Sequence, residues 1–278
     1  MLNRLIRRRS SIADKTPYTS FCREASQRAD VFATFRRAPV YNQILEHTTE
    51  AQGSEYLDVI LRRYAHLAEH FEAFRGNDRV GAPRTFEYGE HGAFSPTTLR
   101  YIKVLGDLER LFGDLGSMHF VEIGVGYGGQ CRIIDAYGGF GSYCLVDLAP
   151  CLDLAHAYLD EFETTDAVRY CTMEDIDEAL DGDLLLSNYA FSECTRAIQQ
   201  TYLEKVLLRC ARGYLTGNAI SPARFRSFTQ AELLDRLPDA AVEPEDPKTH
   251  DGNYVVVWPA ASTNAAVPAA VPQPASLS

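Results

Sequence analysis

The second half of the chain alternates short apolar runs with amphipathic helical segments. Five apolar runs predict strands, at residues 119–123, 142–146, 168–171, 183–187 and 212–216. Helical spacing predicts helices between them, at 129–137, 151–162, near 174–180 and at 195–210, with a further helix at 229–237 that starts on a capping box. Strands that alternate with helices indicate a mostly parallel sheet with helices on both faces.

The last two strands are predicted to differ from the others. Residues 241–243 and 254–258 are joined by a Pro-containing loop with no long crossover between them. Such a connection predicts an antiparallel hairpin that closes the sheet. The fold class is therefore α/β, a Rossmann-like, doubly wound, mostly parallel sheet with an antiparallel closing hairpin.

The first half of the chain is predicted to be a helical extension. Apolar residues recur at helical spacing over 55–74, and Ser95 and Pro96 are typical of a helix start. The connection over 76–92 lacks periodicity, as binding loops and lids often do. Four regions follow from these patterns: a mobile basic segment (1–20), the helical extension (21–115), the α/β domain (116–258) and a disordered Ala/Pro-rich tail (259–278).

Composition narrows the class of protein. The 278 residues are 46% hydrophobic and 23% charged, with a net charge of −11, which disfavours a nucleic-acid partner. The basic start is not followed by the apolar run of a secretory signal, and no stretch approaches the ~20 apolar residues of a membrane span. The seven cysteines show no CxxC pair or zinc spacing. We expect a cytoplasmic protein with reduced thiols and no membrane contact, and no spacing identifies metal ligands, so a requirement for a divalent metal stays open.

The strongest motif is a glycine-rich turn between the first strand and the next helix. It reads Glu122-Ile-Gly124-Val-Gly126-Tyr-Gly128-Gly129, and the acidic Asp147 follows about 20 residues later. Glycines allow a ligand to approach the main chain, and the free N–H groups of a helix start favour an anion. The glycines alone fit a dinucleotide as well. The carboxylate of Glu122 favours a cationic amino-acid end and would repel a pyrophosphate.

With its helical extension and closing hairpin, the chain resembles the class I methyltransferases, which use S-adenosylmethionine. Within that superfamily it is similar to a family described as sugar O-methyltransferases, over roughly residues 76–258. Five segments carry the likeness: 95–101 (SPTTLRY), 122–130 (EIGVGYGGQ), 187–193 (SNYAFSE), 213–218 (GYLTGN) and 253–258.

The resemblance implies a set of S-adenosylmethionine-binding residues. Those expected at the methionine end are Glu122, Gly124, Gly126 and Gly128. Those expected at the ribose and adenine are Asp147, Leu148 and either Glu174 or Asp175, and Ser187 and Asn188 end the fourth strand, where open α/β sheets bind ligands. Tyr101 and Arg100 are placed to close over the cofactor, although Arg100 could equally form a structural ion pair.

The resemblance further implies transfer of a methyl group to a hydroxyl of a small acceptor, a sugar or a glycosylated natural product. Residues 21–92 would form its lid and pocket. A hydroxyl acceptor needs a base, and the candidates are His91, Glu193 and His250. N-methylation or carboxyl methylation of another small metabolite, NAD(P)-dependent oxidation and a non-catalytic binding role are the alternatives. The sequence leaves the oligomeric state open.

Overall fold

A computed structural model of the chain describes residues 11–13, 16–163, 167–176 and 180–259. The basic residues 1–10 and the tail residues 260–278 lie outside that description, as do the predictions made for them. Among the helices in the described ranges, none is both long and apolar enough to cross a membrane.

Seven strands form one mixed sheet in the order β5-β4-β3-β6-β7-β9-β8. The five strands β3 to β7 are parallel, and β9 runs antiparallel to both β7 and β8. This confirms the predicted fold class, including the antiparallel end. The strands are β3 (His119–Ile123), β4 (Ser142–Val146), β5 (Val168–Cys171), β6 (Gly182–Asn188), β7 (Cys210–Gly217), β8 (Ala241–Glu243) and β9 (Tyr254–Trp258).

Both faces of this sheet are buried, because successive side chains of its central strands enter different cores. Phe120 and Leu184 belong to the core shared with the N-terminal helices, whereas Val121 and Leu185 belong to the core on the opposite face. Strands covered on both sides read as continuous apolar runs, which is why the sequence identified them. The helices that cover the two faces are α7 (Gly129–Tyr137), α8 (Ala149–Leu159), α9 (Arg196–Lys205) and α10 (Gln230–Arg236).

Two predicted helices of this domain need correction. The segment near 174–180 contains only a 3₁₀ turn, Met173–Asp175, in its described part, because Asp175 accepts hydrogen bonds from the backbone N–H and hydroxyl of Thr172 and closes a tight turn. The helix predicted over 195–210 ends at Lys205, and a 3₁₀ turn (Leu207–Arg209) leads into β7.

The N-terminal region is helical, as predicted, but is assembled from short pieces. Its first helix begins before the boundary predicted at residue 21. The helices are α1 (Thr16–Gln27), α2 (Ala29–Phe32), α3 (Pro39–Asn42), α4 (Glu50–Arg63), α5 (Phe71–Arg75) and α6 (Pro96–Phe112), with a small hairpin of β1 (Phe86–Glu87) and β2 (Ala93–Phe94) before α6.

The single helix predicted over 55–74 is wrong. Helix α4 stops at Arg63, and Tyr64 leaves helical geometry at φ −131° and ψ 40° before a 3₁₀ segment begins. The cause is tertiary: the Tyr64 hydroxyl donates to the Asp107 carboxylate at 2.5 Å. The Tyr64 ring also lies so close to Gly106 that a Cβ there would be 2.3 Å from it. Periodicity within one segment cannot reveal such a contact.

Helix α6 packs against α4 and α7 and is hydrogen-bonded to β7 through Asp107 and Tyr214. Ser95 caps it by accepting from the Thr98 N–H, as predicted. Every residue from Pro96 to Leu108 is buried, so its polar side chains need partners inside the protein. Asp107 supplies one set, accepting from Lys103 Nζ at 2.7 Å and from the Tyr214 hydroxyl at 2.6 Å in addition to Tyr64.

We expect Asp107→Asn to destabilise the protein by roughly 3 kcal/mol, because it leaves the buried Lys103 ammonium without its counter-charge. Asp58→Asn is the matched control, since Asp58 forms an i,i+4 pair with Arg62 that is exposed on α4 and should change stability by less than about 0.5 kcal/mol. Urea unfolding of the two variants checks the difference, and equal stabilities would contradict the role given to Asp107.

Candidate functional site

The glycine-rich turn follows β3 and leads into α7. Gly124, Gly126 and Gly128 have φ values of +80°, +59° and +84°, a region that residues with a side chain rarely adopt. Gly124 is required for a second reason, since a Cβ there would lie 1.9 Å from the Cβ of Ala190. The three predicted glycines therefore shape one left-handed turn at the carboxyl end of the central strand.

Asp147 lies beside this turn, directly after β4. One carboxylate oxygen accepts from the Val125 N–H at 2.9 Å and the Gly126 N–H at 3.3 Å, and the other accepts from the Leu148 N–H at 2.7 Å. Burial raises the pKa of Asp147 to about 6, while these backbone donors act in the opposite direction. The structure thus brings together the turn and the acidic residue that the sequence assigned to it.

Glu122 stands in β3, two residues before the turn, and is 3% exposed. Its carboxylate accepts from the Tyr143 hydroxyl at 2.8 Å. Burial, reinforced by the negative charge of Asp147, raises the pKa of Glu122 to about 8, although the Tyr143 bond opposes the shift. No cation of the described chain pairs with it. A cationic ligand at this point would favour the ionised carboxylate.

Neighbouring side chains cover the turn. Gln130 donates to the Tyr101 carbonyl at 3.2 Å, and its own side-chain oxygen is buried without a partner. The Tyr101 ring lies against Gly129, and Leu45, from the segment after α3, lies against Gly126. A ligand over the turn would have to displace Leu45.

The other residues predicted to bind the cofactor have mixed surroundings. Leu148 begins α8 and is half-buried, and Glu174 is exposed. Asp175 is engaged in its own turn, and its bonds to Thr172 lower the pKa of its carboxyl group.

Ser187 donates to the Ile123 carbonyl and accepts from the Phe191 N–H, so it joins the ends of β3 and β6. The structure places the glycines, Glu122 and Asp147 together but gives Ser187 and Asp175 structural bonds.

A small cavity, called the cleft below, lies between α6 and the carboxyl ends of β6 and β7, and its volume of ≈ 10 Å³ has room for about one water molecule. Tyr189, one of its lining residues, has a φ of +67°. A bulky residue in this region is strained, and such strain is concentrated at functional sites. The Tyr189 hydroxyl donates to Glu245 at 2.6 Å. The cleft is lined by Tyr56, Arg100, Lys103, Val104, Asn188, Tyr189, Tyr214, Thr216 and Glu245.

The three predicted bases lie in different places. Glu193 ends the 3₁₀ turn that follows Tyr189, and it accepts from the Asn218 amide at 2.9 Å. His250 is exposed on the β8–β9 loop, where its ring nitrogen accepts from the Gly252 N–H. His91 packs edge-on against Phe71 in the helical region, and its ring approaches Glu90. Neither Phe71 nor Glu90 lines the cleft. Of the three, Glu193 is the nearest along the chain to the cleft.

Sequence reasoning missed His47 and Glu245. Partial burial, followed by the positive charge of Arg100, lowers the pKa of His47, although the residue as a whole is exposed. Glu245 lies in a loop rich in Pro and Asp, where no periodicity marks it. Neither residue belongs to a motif, so no local signal could have found them. Within the described ranges, no group of three or more His, Cys, Asp or Glu side chains could hold a metal ion.

No protein-family model matches the sequence, and no curated protein matches it. Three solved structures illustrate the structural likenesses. A candidate RNA methyltransferase from Pyrococcus horikoshii matches at 15% identity and a TM-score of 0.44, over 70% of this chain and 96% of its own. A variant of MtNAS in complex with S-adenosylmethionine matches at 16% and 0.43, over 87% and 88%. The mitomycin 7-O-methyltransferase MmcR matches at 16% and 0.40, over 57% of this chain and 56% of its own.

TM-scores below 0.5 at these identities transfer no activity, cofactor or acceptor to this chain. Its own strand order is more informative. The sheet divides at β3, from which the chain proceeds to β4 and β5 on one side and to β6 and β7 on the other, before the reversed β9. This order is that of a Rossmann-like mixed sheet, and the glycine turn and the end of β6 lie at the switch point where such sheets bind ligands.

The raised pKa of Glu122 predicts a pH-dependent stability. The folded protein holds the proton up to about pH 8, whereas an unfolded glutamate loses it near pH 4.3. Folding is therefore favoured at low pH, and this contribution is lost as the pH rises from about 4 to 8. Glu122→Gln removes the loss, so its melting temperature relative to the unsubstituted protein should rise between pH 5 and pH 9 by several degrees.

Thermal unfolding across this pH range tests the expectation. Glu174→Gln, at an exposed position, controls for the change in net charge. A difference between Glu122→Gln and the unsubstituted protein that stays constant with pH would contradict a buried, protonated Glu122.

Proposed function

We propose that the chain is an S-adenosylmethionine-dependent methyltransferase that acts on a hydroxyl of a small acceptor, a sugar or a glycosylated natural product. The observation that carries the proposal is Glu122: a buried carboxylate beside the glycine turn that has no cation partner in the described chain. A ligand with a positively charged amino-acid end would supply that partner.

The residues present fit this cofactor chemically. The ammonium group would meet Glu122 and the unpartnered oxygen of Gln130, and Asp147 would accept from ribose hydroxyls in place of the amides it now binds. The sulfonium supplies an activated methyl group. An NAD(P) pyrophosphate fits less well, because its charge would have to lie beside both Glu122 and Asp147.

The acceptor is proposed to bind at the cleft after side chains that line it move aside, because its volume of ≈ 10 Å³ is far smaller than a sugar. Tyr56, Tyr189 and Tyr214 contribute aromatic rings to its lining, while Asn188 and Thr216 contribute hydrogen-bonding groups. This combination suits a sugar, whose ring has apolar faces and a polar rim. The protein's contribution to catalysis would be to hold the acceptor oxygen in line with the methyl carbon.

Cofactor binding can be tested without knowing the acceptor. We expect S-adenosylhomocysteine at about 100 times its Kd to stabilise the protein by roughly 2.7 kcal/mol, a rise in melting temperature of several degrees. Asp147→Asn should weaken this binding at least ~10-fold, since it removes an ionised acceptor from the ribose site. Asp153→Asn, at an exposed position on the adjacent helix α8, should leave it unchanged. Stabilisation by NAD alone would overturn the proposal.

Among the bases, Glu193 is proposed first, with His250, His47 and His91 after it. Removing a general base typically costs 10²–10⁴-fold in rate. We therefore expect Glu193→Gln to lower methyl transfer to a hydroxyl by about 100-fold while S-adenosylhomocysteine binding persists. His91→Ala should change the rate by no more than a few-fold, because its contacts are away from the cleft. Rates unaffected by substitution of Glu193, His250, His47 and His91 in turn would favour an amine or carboxylate acceptor.

A further inference from the structure

Three cationic side chains are deeply buried around α6, and two of them are neutralised by carboxylates. Arg36 lies 2.5 Å from Glu46 and 3.2 Å from Asp78, and Lys103 lies 2.7 Å from Asp107. The third, Arg100, is 8% exposed. No carboxylate of the described chain lies within ion-pair distance of it, and its Nε is buried without a hydrogen-bond partner.

An unpaired buried charge is costly, and the surroundings of Arg100 do not remove that cost. Its guanidinium lies 5.5 Å from the centre of the Tyr101 ring, but a ring face does not satisfy in-plane N–H donors. The negative charge of Glu46 acts on Arg100 from beyond ion-pair distance, and Glu46 is already bonded to Arg36. His47, whose pKa is lowered beside Arg100, offers no negative charge.

Glu245, the carboxylate that lines the same cleft, is also fully engaged. It accepts from the Tyr189 hydroxyl, from the Thr249 N–H and hydroxyl, and from the Asn253 amide, at distances of 2.6 to 3.2 Å. It is thus fixed by its own loop. Lys103 is similarly occupied by Asp107. Arg100 remains the one cleft-lining cation of the described chain without a counter-ion.

A second unpartnered donor lines the cleft. The side-chain nitrogen of Asn188 is buried without a hydrogen-bond partner. A ligand with acceptor oxygens would satisfy both donors in the cleft. An anionic ligand would also neutralise the charge of Arg100. A guanidinium matches a carboxylate or a phosphate with paired hydrogen bonds.

We propose that the acceptor carries a carboxylate or phosphate group, which binds to Arg100 with Asn188 as a second donor. This inference rests on the proposed function, because it assumes that the chain has a methyl acceptor. The anionic group is assigned to the acceptor and not to the cofactor because the cleft lies after β6 and β7, whereas the cofactor turn and Asp147 lie after β3 and β4. Within the proposed substrate class it selects acidic sugars: uronic acids or sugar phosphates.

The first test uses small anions on the full chain. Inorganic phosphate and acetate, each compared with chloride at equal ionic strength, should raise the melting temperature of the unsubstituted protein more than that of Arg100→Gln. The stronger of the two identifies phosphate or carboxylate as the preferred group. Arg62→Gln, on the exposed face of α4, is the control and should respond like the unsubstituted protein. Equal responses of Arg100→Gln and the unsubstituted protein would overturn the proposal.

A second readout separates a binding arginine from a structural one. Without anions, Arg100→Gln should melt at the same temperature as the unsubstituted protein or higher, because it removes an unpaired buried charge. Arg36→Gln should melt well below it, because it leaves Glu46 and Asp78 unpaired. A fall at Arg100→Gln as large as that at Arg36→Gln would overturn the inference. Arg100→Lys, which keeps the charge but loses the planar fork, should retain part of the anion response.

Binding of glucuronate, glucose 6-phosphate and glucose then extends the test to the proposed class, in the presence of S-adenosylhomocysteine. At least one acidic probe should bind ~10-fold or more tightly than glucose, and Arg100→Gln should abolish that preference while keeping S-adenosylhomocysteine affinity within about two-fold. Loss of S-adenosylhomocysteine affinity in Arg100→Gln, with no change in anion preference, would assign Arg100 to the cofactor carboxylate instead. Absence of any S-adenosylhomocysteine binding by the unsubstituted protein would defeat the proposed function alone, since the anion response is measured separately.

Discussion

The carboxylate of Asp107 joins three parts of the chain that are distant in sequence. It accepts from Tyr64 at the end of the first long helix, from Lys103 on its own helix and from Tyr214 in the sheet. Because all four groups are buried, each needs the others. This network fixes α6 against β7 and fixes the end of α4 against α6. The positions of Arg100 and of the other cleft residues on α6 and β7 depend on that packing.

Asp107 neutralises Lys103, but Arg100, the next cation towards the start of α6, has no carboxylate of the described chain within ion-pair distance. Arg100 lies three residues earlier and faces the cleft, where the available carboxylate, Glu245, is held by its own loop. Glu122, in β3, is buried and pairs with no cation of the described chain. Within the described chain, Glu122 thus has no cation partner and Arg100 has no carboxylate partner, and each is complementary to a ligand group of the opposite charge. Such local costs are typical of binding sites, where stability is exchanged for preorganised charge.

Side chains from elsewhere in the chain cover the glycine turn. Leu45 and Ala190 lie against the glycines that the sequence assigned to a ligand, so the positive φ values of the turn serve packing in this conformation. In the segment 45–47, Leu45 lies against Gly126, and the positive charge of Arg100 acts on His47. The position of this segment between the turn and the cleft suits the lid that the sequence placed in the helical region.

The sequence by itself determined the sheet, because strands buried on both faces must be apolar throughout and separated by helices of regular period. It also determined the glycine turn with Glu122 and Asp147, since a strand, a tight turn and a helix are consecutive in the chain. Tertiary structure decided what no local pattern encodes: the break at Tyr64, the use of Ser187 and Asp175 in structural bonds, and the pairing of Lys103 but not Arg100. Burial and the availability of a counter-charge depend on residues far away in sequence, and the physical reason is that charge compensation is a property of contacts, not of segments.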